Sequence, residues 1–484
     1  MDAYPDHGAL SLTQSYTDQA GLFSTAFTYD NALAILAHLA TRTDTGRRRA
    51  VALGDSLLYA QAHDPAYDDG RLRQAYNVGP YVFFDGVAQP DGFVRADGTA
   101  NVGTQFGFTG TAVGDMAWAG IALAALARRT GKRRFLDGAI RIGTWIEVNG
   151  GTDQPLGGYR FGVDGANAKL PFSSTEHNTD LVALFGQLAL LTGDPVWRRR
   201  RATARAFVEK MWEPAGTSGA GFFYTGTNDG VTINKSPVPE DAQTWTHLAL
   251  GSRRHSRSLD WAAAELAVLD RSDRPNSTVP AGQSYEGVTF SSASPLANED
   301  APIAEFQPRP DRNGVWFEGT AHLALGSRRH SRSLDWAAAE LAVLDRSDRP
   351  NSTVPAGQSY EGVTFSSASP LANEDAPIAE FQPRPDRNGV WFEGTAHLAL
   401  ALRDRAGHGD EARAHRLVAS IERAQELLGT GQTVGSRALP ERAGVVSASS
   451  PLDTGFGFGY YPYRHTGATA WYLLAATRTN PLKA

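Results

Sequence analysis

Carboxylate side chains recur at the starts of apolar helical segments in this chain of 484 residues. Two carboxyl groups that lie close together provide general acid–base chemistry, in which the protonated group donates a proton and the ionised group accepts one. Each acid alone could instead be a helix cap, because Asp and Glu are favoured in a first turn. Recurrence at five of six starts, next to aromatic residues, favours a shared site. The candidate catalytic residues are Asp30, Asp115, Glu176, Asp241 and Glu393.

Glu176 is the first candidate, because the segment STEHN at 174–178 places Glu, His and Asn within one helical turn. Asp115 and Asp241 follow, each with a tryptophan about one turn later that could stack on a ligand or pack in the core. Glu393 and His397 are spaced i,i+4 and could form a charged pair. The predicted substrate-binding residues are Tyr29, Trp118, His177, Asn178, Asp180, Gln243, Trp245, Trp391 and His465, although a buried structural role remains open for the histidines and tryptophans.

The segments that carry these residues have helical hydrophobic spacing and are joined in pairs by short turns. One helix is predicted to end near Arg42 and its partner to start after Thr45-Gly46. Three further pairs meet at Thr130-Gly131, Gly193-Asp194-Pro195 and Gly407-His408-Gly409-Asp410, where Gly suits a helix C-terminus and Pro a first turn. Long links rich in Gly, Pro, Asn, Asp and aromatic residues separate the pairs, over about 66–110, 149–174, 213–240, 271–314 and 429–464.

Short turns on one side and long links on the other predict that successive hairpins point the same way. The fold class that follows is all-α, an (α/α)6 toroid of helical hairpins with its long loops gathered at one end. The helices that begin with the candidate acids have Ala- and Leu-rich bodies with few charges, so we predict that they form an inner ring. Their partners keep a charged face and are predicted to form the outer ring.

An exact internal repeat lengthens the chain. Residues 247–321 and 322–396 are identical, so we interpret the repeat as a recent tandem duplication or an assembly artefact in a parent of about 409 residues. A selected extra repeat is the alternative. The repeat adds one hairpin, with a second outer-type helix over 333–344, and copies Glu393 and His397 as Glu318 and His322. We expect a single toroid domain over 1–484, with one copy extruded from the ring or disordered.

The helix-start segments together resemble an uncharacterised bacterial subgroup of the six-hairpin glycosidase-like, (α/α)6-toroid superfamily. The resemblance covers about 25–480 and implies a carbohydrate-binding cavity at the N-termini of the inner helices. It is specific for the subgroup and weak for a reaction, because the superfamily contains hydrolases, lyases, epimerases and isomerases. The segments are TYDNALA, TGTAVGDMAW, STEHNTD with LLTGDPVW, DAQTW-x-x-LALG, GVWFEGTAHLAL and HTGATAWYLLAA.

We therefore predict a glycoside hydrolase that acts on an oligo- or polysaccharide by paired carboxylates. Three alternatives stay open. A lyase would need a cationic or Tyr/His site to neutralise a uronate, and a sugar epimerase or isomerase would use histidines as proton carriers. A glycan-binding toroid without activity would keep the aromatic residues and need no particular acid.

Composition excludes several other classes. The net charge of −6 is too mild for a nucleic-acid binder, and the longest apolar stretch, 117–127, is too short to span a membrane. The absence of cysteine excludes disulfides and thiolate chemistry. No metal or cofactor is predicted, since zinc, calcium and dinucleotide motifs are missing. We expect a monomer that is cytoplasmic or a mature secreted domain, because 1–20 lacks the features of a leader.

Overall fold

The computed structural model consists of paired α-helices connected by loops that carry short antiparallel strands. It describes the chain from residue 10 to residue 481. The exceptions are 84, 105–106, 216–218, 251, 253, 272, 277–283, 301–311, 316–318, 320–322, 324–341, 366–368, 370–371, 379–381, 407, 455–458 and 480.

Six helices in the described residues form an inner layer. Neighbouring members pack side by side in the order α7, α5, α3, α1, α11, α9, which follows the ring most of the way round. The inner helices are α1 (Thr28–Ala40), α3 (Val113–Thr130), α5 (Thr175–Thr192), α7 (Asp241–Leu250), α9 (Phe392–Arg405) and α11 (Thr466–Ala476).

Each of the first five inner helices packs against the helix that follows it. The bodies of α1, α3 and α9 are buried almost throughout and those of α5, α7 and α11 in part, whereas the partner helices bury one face. The chain is therefore an all-α toroid of helical hairpins. The outer helices are α2 (Asp44–Ala62), α4 (Arg133–Trp145), α6 (Pro195–Lys210), α8 (Arg257–Glu265) and α10 (Asp410–Leu427).

The short turns follow local helix-capping rules. Gly131 and Gly193 adopt left-handed φ angles of 68° and 70° at the ends of α3 and α5. Asp194 caps α6 by accepting a hydrogen bond from the Val196 N–H at 2.8 Å. The start predicted after Gly46 is wrong: α2 begins at Asp44 because Thr43 caps it by accepting the Gly46 N–H at 3.0 Å.

Short strands pair in the segments outside the helices, and among the described residues all but β1, which precedes α1, belong to the connections of the toroid. The pairs are antiparallel: β1 (Thr25–Phe27) with β2 (Ala75–Asn77), β3 (Tyr81–Val82) with β4 (Ala88–Gln89), β5 (Thr111–Ala112) with β6 (Gly162–Val163), β10 (Gly226–Thr227) with both β7 (Ser173–Ser174) and β11 (Ile233–Asn234), β8 (Trp212–Glu213) with β9 (Phe222–Phe223), β12 (Ala267–Arg271) with β13 (Ser284–Val288), β14 (Ala342–Arg346) with β15 (Ser359–Val363), β16 (Thr433–Val434) with β17 (Arg437–Ala438), and β18 (Leu452–Asp453) with β19 (Gly459–Tyr460).

Both copies of the duplicated segment build the same hairpin. Ala267 faces Val288 in β12–β13, and Ala342 faces Val363 in β14–β15, which is the same register. The helix predicted over 333–344 is therefore wrong at its end, since β14 begins at Ala342; residues 333–341 lie outside the described residues. The copied acid–histidine pair, Glu318 and His322, also lies outside them. The expected extrusion of one copy remains a prediction.

No helix among the described residues is both long enough and apolar enough to cross a membrane.

Candidate active site

One side chain near the start of each inner helix holds the backbone of a loop segment that packs on that helix. The Asn178 Oδ1 accepts the Tyr159 N–H at 2.9 Å, and its Nδ2 donates to the Tyr159 and Ser174 carbonyls, both at 2.9 Å. Gln243 binds both backbone groups of Phe223 in the same way, at 2.7 and 2.8 Å. The equivalent contacts on the other helices join Asn31 to Thr13, Met116 to Leu72, Thr395 to Val363 and Thr469 to Val445.

These contacts correct two of the predicted substrate-binding residues. Asn178 and Gln243 are fully buried, and both ends of each amide bond to backbone groups. Their role is to fix the loops against the inner helices, so no polar atom of either side chain is left to hold a ligand.

Because these contacts hold the inner helices at similar heights, the carboxylates near their starts lie in one row. We call this set the acid row: Asp30 of α1, Asp115 of α3, Asp180 of α5, Asp241 of α7 and Glu393 of α9. Each member acts electrostatically on a neighbour, as their pKa shifts show. Four of the five predicted acids thus lie together.

Burial raises the pKa values of four members of the acid row, and for three of them neighbouring carboxylates add to the shift. Burial, with the nearby charge of Asp30, raises the pKa of Asp115 to about 7, against a hydrogen bond from Gln74. Burial raises the pKa of Glu393 to about 7 as well, with Asp30 adding to the shift and His465 opposing it. The pKa of Asp180 rises to about 8 through burial and the charges of Asp115 and Asp241.

His465 lies between two members of the acid row, and its Nδ1 accepts a hydrogen bond of 3.3 Å from the Ala468 N–H. Its Nε2 lies 3.7 Å from Asp30 Oδ2, and its Nδ1 lies 3.7 Å from Glu393 Oε2. Burial lowers the pKa of His465, but the attraction of Asp30 and Glu393 outweighs this, so the pKa is raised overall. The close approach needs a glycine at 467, because a Cβ there would lie 2.6 Å from His465 Cε1 and 3.3 Å from Asp30 Oδ1.

Glu176, the first candidate from the sequence, is placed differently from the row. Its side chain is exposed in the first turn of α5, whereas Asp180, one turn later, is only 2% exposed. Asp180 Oδ1 accepts a hydrogen bond of 3.0 Å from the indole Nε1 of Trp245. Asp180 therefore occupies the position in the acid row that we predicted for Glu176.

Aromatic side chains pack against one another inside the ring, next to the acid row. Trp118 is 4% exposed, and its ring lies 5.4 Å from Tyr29 and 5.9 Å from Trp245. Its two neighbours come from α1 and α7, so Trp118 packs across the centre of the toroid. This contradicts a stacking role for Trp118, because its side chain is buried. Tyr29 and Trp245 remain partly exposed.

Two other predicted contacts are also corrected. Trp391 is 2% exposed in a separate apolar cluster with Phe365, Ala448 and Leu452, so no surface is left for a ligand. The Glu393–His397 pair does not form as predicted, since His397 is buried edge-on against Trp471 at 4.1 Å and Glu393 faces His465.

His177 lies against the wall of the ring. Burial lowers its pKa to about 4, and its ring lies 4.3 Å from Phe161. A Cβ on Gly114 would meet His177 Nε2 at 2.7 Å, so α3 and α5 approach closely here. His177 is therefore neutral at pH 7, and its packing sets the spacing between these two helices.

Sequence reasoning missed two residues of the site. Tyr16 stacks on His465 with ring centroids 4.1 Å apart and planes 9° apart, and Gln74 hydrogen-bonds Asp115. Both belong to loop segments outside the helix starts. No periodic signal marks them, because loop residues reach the site only through the path of the folded chain.

No family model matches this sequence, and no curated protein matches it. A cellobiose 2-epimerase structure from Bacillus thermoamylovorans B4167 is 8% identical with a TM-score of 0.49, covering 98% of this chain and 94% of that one. A cellobiose 2-epimerase from Spirochaeta thermophila DSM 6192 is 13% identical with a TM-score of 0.48, covering 82% and 91%.

A family 76 glycoside hydrolase from a bovine Bacteroides thetaiotaomicron strain is 8% identical with a TM-score of 0.42, covering 93% of this chain and 68% of that one. These similarities include both epimerases and a hydrolase, and all have TM-scores below 0.5. The reaction therefore has to be argued from the acid row and His465 alone.

Proposed function

We propose that this protein hydrolyses glycosidic bonds of a glycan that enters the toroid at the acid row. The observation that carries the proposal is the position of Asp30, with Asp115 and Glu393 as flanking carboxyls. Burial and the charge of Asp30 raise the pKa of both flanking groups to about 7. Neighbouring carboxyls with separate roles are what glycoside hydrolysis requires.

The roles follow from these environments. A carboxyl with a pKa near 7 carries its proton in about half of the molecules at neutral pH, so Glu393 or Asp115 serves as the general acid toward the leaving oxygen. Asp30 lies 3.7 Å from His465 Nε2 and serves as the base that activates water, or as the nucleophile. The partly exposed Tyr29 and Trp245 are proposed to contact the sugar.

The test is mass spectrometry of the products after incubation with a panel of neutral and uronic-acid glycans. Products that gain one water support hydrolysis. Asp30→Asn and Glu393→Gln should each lower the rate about 100-fold or more. Asp137→Asn is the matched control, because Asp137 is a partly exposed carboxylate on outer helix α4 that pairs with Arg133 at 2.8 Å. Cleavage without added water would overturn the proposal in favour of a lyase.

Sugar epimerisation is the second candidate, and His465 favours it. An imidazole can remove a proton from carbon on one face, and a protonated carboxyl such as that of Glu393 can return a proton on the opposite face. Such a reaction leaves the substrate mass unchanged in ordinary water and introduces deuterium from D2O. Deuterium incorporation that is lost in His465→Gln, without any cleavage, would replace the hydrolase proposal with this one.

A further inference from the structure

The N-terminal segment 13–17 lies across the starts of α1 and α11. Its backbone is bonded on both sides: the Thr466 N–H donates to the Ser15 carbonyl at 2.8 Å, and the Thr17 N–H donates to the Arg464 carbonyl at 3.2 Å. The Thr13 N–H donates to Asn31 Oδ1 at 2.8 Å. Tyr16 lies in the middle of this segment, so its backbone is held in place.

From this position Tyr16 covers one face of the His465 imidazole. The two residues form an isolated antiparallel bridge, and their rings stack in parallel with centroids 4.1 Å apart. The backbone of α11 at Gly467 limits the imidazole from another direction, since a Cβ at that position would clash with Cε1. The ring is therefore held between an aromatic face and a glycine backbone.

Tyr16 also lies near the two carboxylates beside His465, Asp30 and Glu393. Burial raises the pKa of Tyr16 well above its ordinary value, with further contributions from Tyr460, Asp30 and Glu393. The phenol thus stays neutral and lies close to both acids that contact His465. An aromatic face next to a cationic imidazole is a favourable arrangement.

We propose that Tyr16 is a positioning residue that holds the His465 imidazole between Asp30 and Glu393. Its effect on turnover rests on the proposed function, whereas its effect on His465 does not. The stacking of the Tyr16 ring positions the imidazole, so His465 should keep its position in Tyr16→Phe and lose it in Tyr16→Leu.

The experiment is an NMR titration of the His465 ring protons, assigned by comparison with His465→Gln. In the native protein and in Tyr16→Phe we expect a midpoint above 6.5, as the raised pKa requires. In Tyr16→Leu the midpoint should fall toward 6.5, because the ring leaves the two carboxylates. Tyr16→Met, which is unbranched and of similar reach, serves as the test if the Leu variant lacks a cooperative thermal transition.

Turnover gives a second readout on the proposed substrate. Tyr16→Leu should lower kcat about 10- to 100-fold, since a misplaced group close to the reacting atoms costs that much. The KM should change less than about threefold, because Tyr16 contacts His465 and not the sugar. An unchanged titration midpoint in Tyr16→Leu would overturn the positioning role. A shifted midpoint in a protein without glycan cleavage would support the positioning role and reject the hydrolase.

Discussion

The indole Nε1 of Trp245 donates a hydrogen bond of 3.0 Å to Oδ1 of Asp180, and this bond joins α5 to α7 at the acid row. The centroid of the Trp245 ring also lies 5.9 Å from that of Trp118, so the Trp245 side chain contacts both the acid row and the aromatic residues inside the ring. A charged Asp180 gains from the bond, but burial and its acidic neighbours still raise its pKa to about 8. The acid row is therefore assembled at a cost in electrostatic free energy, and that cost depends on pH.

Stability should fall as the pH rises from about 5 to 8. The unfolded pKa of Asp180 is near 4 and its folded value is about 8, so the folded state binds more protons between these limits. The stabilising contribution is fully present below the unfolded pKa and is lost as the pH passes the folded pKa. Denaturant unfolding at pH 5, 6.5 and 8 measures this slope.

Asp180→Asn isolates the contribution of this one group. The amide mimics the neutral acid, so relative to the native protein the variant should gain roughly 3 to 4 kcal/mol between pH 5 and pH 8. Asp137→Asn, on the outer helix, should leave the slope unchanged. Equal slopes in the native protein and in Asp180→Asn would show that Asp180 titrates in its ordinary range.

Gly467→Ala should impair the site more than the fold. The added Cβ would lie 2.6 Å from His465 Cε1, so the imidazole has to move away from Asp30. We expect a rate loss of about 10- to 100-fold on the substrate found for this protein. Gly186→Ala on α5 is the matched control, since its Cβ would meet only the flexible Arg201 side chain at 3.3 Å. A Gly467→Ala variant with native activity would exclude a role for the His465–Asp30 contact in turnover.

Much of the fold could be predicted, because capping and hydrophobic spacing are local. Gly193, Asp194 and Pro195 end one helix and begin the next by rules that operate within a few residues. The choice between Glu176 and Asp180 was not local. Both lie on one face of α5, and their different exposure is set by elements far away in sequence, including Trp245 of α7.

The same reason explains the amides that were assigned to ligand binding. Asn178 sits in a polar start segment beside Glu176 and His177, which made a ligand contact reasonable. Its actual partner is the backbone of Tyr159, which only the path of the preceding loop brings within 2.9 Å. Tyr16 was missed for a related reason, because it reaches His465 only when the two ends of the chain meet.

A buried pair of carboxyls in the second copy, Asp345 and Asp386, should hold the neighbouring loop segments together less strongly at alkaline pH. Asp345 accepts hydrogen bonds from Ser449 and Ser450 on Oδ2 and from Ser352 on Oδ1, at 2.5, 2.7 and 2.9 Å. Burial and the charge of Asp345 raise the pKa of its neighbour Asp386 to about 8. Above that pH, two carboxylates repel each other in a site closed to water.

Amide hydrogen exchange at pH 6 and pH 9 tests whether this contact weakens. The reporters are the Thr353 and Val390 amides, which donate to Ser450 and Ser449 at 2.9 and 2.8 Å. Their protection factors, corrected for intrinsic exchange, should drop about tenfold at the higher pH in the native protein. In Asp386→Asn, where the amide cannot ionise, the protection should persist. A similar loss of protection in both proteins would show that ionisation of Asp386 does not cause it.

Deleting one copy of the repeat should leave a folded toroid. Removing 247–321 or 322–396 gives the same sequence, in which a single hairpin equivalent to β14–β15 follows α8 and leads into α9. The acid row keeps all its members, since Asp241 precedes the repeat and Glu393 has an identical copy in it. The packing contacts of α9 with α10 and α11 also use residues that the shorter chain retains.

We expect the deletion variant to unfold in a single cooperative transition, at a temperature equal to or above that of the full chain. It no longer has to bury or expose an additional amphipathic hairpin. Calorimetry on both proteins measures the transition, and glycan cleavage by both reports on the acid row. If the shorter chain fails to fold while the full chain unfolds cooperatively, then both copies are integral to the ring, and the repeat is a selected part of this protein.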